Sequence, residues 1–371
     1  MRRPKRQFRS AAARWAGVGP YYAMFPSWFS DAVVSRYSNP GDVVLDPFAG
    51  RGTAVFSAAC QERVGLGVEI NPVGWVYANA KLRPADATAV AARIADLGLA
   101  ASTYRSESRN ADDFMRLCFA SGVRRFLLAA RAELDWRRNN VDRTLMALLL
   151  VHLHGKPAAS LSNQLRQTKA MSPDYAVRWW RDRALKPPDH DPVEFMTKKL
   201  RWRYAKGTPG ATASRVYLGD SVVVMPRMAQ NRMKRPDVAQ VRLILTSPPY
   251  HNLANYHYDQ WLRLWLLGGP ASARRPGHKF RGKFESQETY TALLGSVFRH
   301  CARALAPTGI VYVRTSLRGT TFQPTVRVLD EAFPQHVATY HRRPFTRPTQ
   351  THLFGDSTKK RGEVDIVLRP K

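Results

Sequence analysis

The sequence has 371 residues, 44% of them hydrophobic, enough for one large domain or a domain carrying an insertion. No apolar run approaches the roughly 18 residues of a membrane span, and the N-terminal MRRPKRQFRS lacks the apolar stretch of a signal peptide, so a soluble, cytoplasmic protein is expected. Lys+Arg 58 against Asp+Glu 28 gives a net charge of +30, spread along the chain. Such a cation attracts polyanions, nucleic acid first among them, although arginine-rich coding alone would raise the same count.

In chain order, 42–46 (DVVLD) and 64–70 (VGLGVEI) read as short buried strands around a helix-like AVFSAACQE, and VGWVYANAKL follows as a helix. Between about 85 and 210 the strand signals fade. ATAVAARIADLGLA, RRFLLAARAEL and DRTLMALLLVHL read as helices, and a polar, aromatic stretch, SLSNQLRQTKAMSPDYAVRWWRDR, comes after them. Strand-like runs return at 215–219, 241–246, 308–315, 336–340 and 364–369, with TYTALLGSVFRHCARAL and TVRVLDEAF as intervening helices. The alternation predicts an α/β fold with a parallel, doubly wound, Rossmann-like sheet. Residues 1–84 and 211–371 would form it, and 85–210 would be a largely helical insertion.

The end of each early strand is polar. In LDPFAGRGT (45–53) the first strand closes on Asp46, and Pro47, Phe48, Gly50, Gly52 and Thr53 lead into a helix. Glycines there let backbone pass close to a ligand, and the helix N-terminus offers free N–H groups. The spacing is not GxGxxG. Glu69, at the end of the second strand, is placed to accept from ribose hydroxyls. Asp220 and Ser221 follow the third strand, where they either meet the edge of an adenine ring or cap the next helix. An acid, two glycines and a second acid suit a nucleoside-bearing cofactor.

The fourth strand runs into TSPPY (246–250). Two prolines remove two backbone donors and fix two φ angles, which either makes a sharp turn or holds carbonyls rigidly in a pocket.

Together DPFAGRGT, Glu69, GDS and TSPPY resemble the S-adenosylmethionine-dependent amino-methyltransferases that modify DNA bases. PYYAMFPSWFSDAV (20–33) is similar to the segment that this family places before its glycine turn, and EVDIVL to its last strand. The resemblance covers roughly 20–80 and 214–315. It implies a class I methyltransferase sheet with S-adenosyl-L-methionine held by Phe25, Asp46, Pro47, Phe48, Gly50, Gly52, Thr53, Glu69, Asp220, Ser221 and Thr246, Phe25 packing on the methionine end. It implies catalysis by Ser247, Pro248, Pro249 and Tyr250 on a base flipped out of double-stranded DNA. The Ser247 side chain and the Pro248 carbonyl would accept from the target amine while Tyr250 stacks the base. Serine before the prolines leans toward cytosine N4. An adenine N6 enzyme of the same architecture is the alternative, ahead of an RNA guanine amino-methyltransferase or a DNA-binding protein without activity. Only about 40 residues precede the first strand, which disfavours the RNA enzyme's extra N-terminal domain. A cognate restriction endonuclease is a candidate partner, and 85–210 the candidate target-recognition region. Met24 departs from the pattern, standing where a lysine is frequent.

The remaining features read as structural. Cys60, Cys118 and Cys301 are scattered, with no CxxC pair, so neither disulfides nor a metal site are expected. His152 and His154 form a lone HxH without carboxylate partners. WLRLWLLGG reads as a core helix ending on glycine. Trp179 and Trp180 suit DNA contact and core packing equally. NQLRQTK, SARRPGHKFRGK and STKKRG are candidate phosphate contacts, and MRRPKRQFR a disordered basic arm.

Overall fold

The computed structural model describes residues 8–20, 25–165, 170–210, 213–233, 240–251, 256–270, 286–343 and 362–371. Met24, MRRPKRQ, SARRPGHKFRGK and most of NQLRQTK and STKKRG lie outside the described residues.

The fold grows from the central strand β1 (Val43–Asp46), whose four residues are all buried. A strand covered on both faces reads as a continuous apolar run, and VVL does so. It pairs in parallel with β2 (Val64–Glu69) on one side and β4 (Val241–Thr246) on the other. Adding β3 (Arg215–Leu218), β5 (Leu305–Ser316), β6 (His336–Arg343) and β7 (Glu363–Pro370) gives a seven-stranded sheet in the order β3-β2-β1-β4-β5-β7-β6. This is a doubly wound, Rossmann-like α/β fold, and all seven expected strands are present. The expectation of a wholly parallel sheet needs one correction, because β7 runs antiparallel to both β5 and β6. An antiparallel neighbour needs no crossover helix, and the apolar run 364–369 carries no signal of its direction.

The helices are α1 (Ala11–Ala16), α2 (Ser27–Tyr37), α3 (Thr53–Ala59) and α4 (Pro72–Leu82) around the first two strands. Then come α5 (Ala87–Ala100), α6 (Arg105–Arg109), α7 (Asp113–Cys118), α8 (Ser121–Glu133), α9 (Asn140–His152), α10 (Pro173–Asp182) and α11 (Pro192–Tyr204). α12 (Ser221–Met233), α13 (Tyr256–Asp259), α14 (Trp261–Leu266), α15 (Gln287–Ala304) and α16 (Gly319–Ala332) complete the described set. Alternate strand residues feed opposite layers. Val44, Leu243, Leu245, Tyr312 and Val367 pack with α2 and α3, while Val43, Leu45, Ile244 and Val311 pack with α12, α15 and α16. Close approach of α3 to β2 depends on Gly65, where a Cβ would lie 2.4 Å from the Val55 carbonyl oxygen.

The segment 85–210 is helical, as expected, but shares one continuous core with α4 and α14. Phe114 of α7 packs 5.3 Å from Trp180 and 4.9 Å from Trp261 of α14. The fully buried Arg263 of α14 donates from Nε to the Leu150 carbonyl of α9 at 2.9 Å. Trp180 is therefore a core residue, whereas Trp179 is half-buried under the Arg183 guanidinium, 4.8 Å away. WLRLWLLGG ends as expected: Gly268 takes φ +96°, and Gly268 and Gly269 donate to the Trp265 and Leu264 carbonyls. His152 packs edge-on against Phe195, its imidazole pushed down to about 3 by burial and then by Lys199. Among the described residues no cluster of potential metal ligands occurs, and no helix is long and apolar enough to cross a membrane.

A core shared in this way should melt as one. Trp180→Ala is expected to cost about 3–5 kcal/mol and to shift a single urea transition seen alike by far-UV circular dichroism and tryptophan fluorescence. A separate early transition for the 85–210 helices would contradict the shared core.

Candidate active site

The crevice lies beyond the carboxyl ends of β1 and β4, where successive connections leave to opposite sides of the sheet. The Thr246 hydroxyl donates to Asp46 Oδ1 at 2.7 Å across this switch point, both side chains being buried. The same oxygen accepts the Phe48 amide at 3.0 Å. Burial, only partly offset by these two bonds, pushes the Asp46 carboxyl up to about 7.

The turn after β1 is held at every step. Ala49 donates to the Val68 carbonyl, Gly50 to Glu69 Oε2 at 2.7 Å, and Ser221 Oγ to the Pro47 carbonyl at 2.5 Å. Gly50 and Gly52 take φ of +54° and +70°, and a Cβ on Gly52 would lie 2.7 Å from that of Ala78. Glu69 Oε1 accepts the Asn71 amide at 2.7 Å. Both carboxylate oxygens thus organise backbone, and each keeps a lone pair for a further donor. Burial, with Asp46 adding a smaller like-charge effect, pushes this carboxyl up to about 7 as well.

Of the cofactor candidates, Asp46, Pro47, Phe48, Gly50, Gly52, Thr53, Glu69, Ser221 and Thr246 come together around this turn. Asp220 caps α12 by accepting the Val222 amide at 3.0 Å, so the capping role weighed from sequence is present. Phe48 lies against Phe298, at 6.4 Å between ring centroids. Phe25 is buried, 5.3 Å from Phe29, on the α2 side of the sheet.

Sequence reasoning passed over several residues here. Ile70 leaves an apolar side chain 41% exposed at the end of β2, and the buried Asn71 Nδ2 has no partner among the described residues. Arg51 is buried, donating to the Gly19 carbonyl at 2.9 Å and to Thr53 Oγ1 at 3.2 Å. Only its place inside DPFAGRGT hinted at a role. A glycine cradle, an apolar platform, an orphan amide donor and a carboxylate with spare lone pairs fit a group that carries a ribose and a purine.

The TSPPY turn leaves β4 beside this crevice. Among the described residues no backbone donor reaches the Ser247, Pro248 or Pro249 carbonyls. The Tyr250 hydroxyl donates to Glu363 Oε1 at 2.9 Å and hydrogen-bonds with the Ser247 hydroxyl. Burial, reinforced by the Glu363 carboxylate, holds the Tyr250 phenol well above its ordinary value. Behind it Arg314 grips Asp365 with two hydrogen bonds of 2.6 and 2.9 Å and lies 3.6 Å over the Phe29 ring.

Comparison with known proteins agrees with this geometry over part of the chain. Residues 3–74 match a family model described as DNA methylase, of the N6/N4 type. The type II methyltransferase M.MjaII of Methanocaldococcus jannaschii is 30% identical over 70 residues, 19% of this chain and 13% of that protein. The orphan methyltransferase M.BamHII of Bacillus amyloliquefaciens is 38% identical over 61 residues, 16% of this chain and 23% of its own. The chain thus spans less than a quarter of the curated relatives it matches. Among solved structures, the rRNA methyltransferase AviRa of Streptomyces viridochromogenes aligns over 98% of this chain and 94% of its own, at 12% identity and a TM-score of 0.35. The chain belongs to the N4/N6 amino-methyltransferase family, whose cofactor is S-adenosylmethionine.

The two buried acids make a prediction of definite sign. A carboxyl whose folded value lies above its unfolded one binds more protons in the folded state, so its contribution is fully present near pH 4 and is lost as pH rises to about 7. Asp46→Asn keeps an acceptor for Thr246 and Phe48 but cannot ionise. Its melting temperature should fall less steeply between pH 4.5 and 7 than that of the natural chain, as differential scanning fluorimetry would show.

Proposed function

We propose that this chain is a DNA methyltransferase that moves a methyl group from S-adenosylmethionine to the exocyclic amine of a flipped base, cytosine N4 before adenine N6. The observation that carries the reading is the Thr246–Asp46 bond, which sets the TSPPY turn directly beside the glycine turn.

The cofactor supplies a sulfonium methyl. The chain must do the rest. An exocyclic amine is a poor nucleophile because its lone pair is delocalised into the ring. Acceptors placed at its hydrogens favour the pyramidal form and aim the lone pair, and rigid acceptors do so without reorganising. The Ser247 hydroxyl and the Pro248 carbonyl are the acceptors, the two prolines the source of rigidity, and the Tyr250 ring the stacking surface. Ser247, as a hydroxyl rather than a carboxamide, favours cytosine N4. The net charge of +30 suits a DNA substrate, and the 85–210 helices are assigned the recognition of its sequence.

Incubation with tritiated S-adenosylmethionine and unmethylated bacterial genomic DNA should label the DNA, and mass spectrometry of the digested nucleosides should return N4-methylcytosine. N6-methyladenine would select the second reading, and no label on any DNA would remove both. Ser247→Ala is expected to lower kcat by about 10²-fold, the scale of losing one preorganised hydrogen-bonding partner, with cofactor affinity retained in calorimetry.

A further inference from the structure

Glu363, the first residue of β7, has no part in the functional reading so far. It stands opposite Ser316 in the antiparallel ladder, two residues from Asp365, which stands opposite Arg314. On the face covered by α2 this ladder turns from aromatic to ionic toward the crevice. Tyr312 and Val367 pack against Phe29 and Tyr37; then come Arg314 with Asp365, and finally Glu363 under the Tyr250 hydroxyl.

The chemistry of the chain fixes its direction. A carboxylate only accepts, so the Tyr250 hydroxyl spends its single proton on Glu363 at 2.9 Å. The Tyr250 oxygen must then accept from Ser247, the other hydroxyl bonded to it. Ser247 has no second proton to offer, and its oxygen shows only lone pairs to whatever enters the pocket.

We propose that Glu363 is the positioning residue that makes the Ser247–Tyr250 pair an obligate acceptor, and so commits the pocket to an amino base rather than a keto base. The inference rests on the amino-methyltransferase reading and deepens it. Arg314 steadies the carboxylate from 4.0 Å but is held mainly by Asp365, so removing the Glu363 charge does not leave the guanidinium unpaired. The same guanidinium covers Phe29 at 3.6 Å and lies 5.9 Å from Phe25, tying the base pocket to the aromatic pair at the cofactor's expected methionine end.

The test uses Glu363→Gln, Tyr250→Phe and the double variant in the full chain, with unmethylated bacterial genomic DNA and S-adenosylmethionine. A carboxamide can turn its NH2 toward Tyr250 and let the chain run backward, so that Ser247 donates into the pocket. Phenylalanine cuts the chain at its middle. Each single variant should lose at least about tenfold in kcat, with the dissociation constant for S-adenosylmethionine within about twofold of the natural chain. The double variant should lose no more than the worse single, since both break one chain. Multiplying losses, or Glu363→Gln at the natural rate, would overturn the proposal while leaving the methyltransferase reading intact. A natural chain that labels no DNA would overturn the reading beneath it. Tyr250→Phe removes one oxygen and no packing volume, so it keeps the test open if Glu363→Gln folds poorly.

Discussion

The hydrogen bond from Thr246 to Asp46 joins residues 200 positions apart and closes the gap between β1 and β4 at their carboxyl ends. Everything chemical in this protein sits on one side of it or the other. A Rossmann-like sheet makes a crevice wherever successive crossovers leave to opposite sides, but the crevice is only as well defined as the strand ends that border it. Here both ends carry one partner of a buried pair, so the glycine turn and the proline turn share a reference point. Asp46 then orders its own turn through the Phe48 amide, and Ser221 secures the same turn from α12 through the Pro47 carbonyl. Glu69 repeats the device one strand away on Gly50 and Asn71.

Such acids are costly to bury, and the direction of their shifts shows that cost. Apolar residues of similar size would pack without it. They could not satisfy the amides of Phe48, Gly50 and Asn71, which the tight turns leave without strand or helix partners, and an unpaired buried amide costs about 1–3 kcal/mol. The acids therefore suit a surface that must keep its shape when a ligand replaces water.

Much of this was legible in the sequence because strands on both faces of a sheet are apolar runs ended by polar residues. VVLD, VGLGVE and VRLILT announce β1, β2 and β4, and the motifs at their ends are short enough to read whole. The reversal of β7 was not legible, since apolar alternation is the same in either direction. Nor were Glu363, Arg314 and Asp365, whose contacts depend on the β5–β7 register and on a tyrosine more than 100 residues away. Asp220 shows a third limit. Asp before a helix serves equally as cap and as ligand, and only geometry reveals that it caps. The helical character of 85–210 followed from its periodicity, but its fusion with α4 and α14 depends on matched aromatic surfaces that no local pattern records.

That fusion bears on how a distant recognition surface would act on the pocket. β4, TSPPY and α14 follow one another in the chain, and α14 is buried among α7, α8 and α9 through Trp261, Trp265 and Arg263. Close-packed interiors transmit displacement rather than absorb it. The catalytic turn is thus anchored at one end by the sheet, through Thr246, and at the other by the helical core. A load on the 85–210 helices reaches the turn through α14 while Asp46 holds its origin in place, so the stretch between these anchors is where strain would concentrate. Two successive prolines stiffen that stretch at its sheet end, which keeps Ser247 and the Pro248 carbonyl with the cofactor crevice rather than with the moving helices.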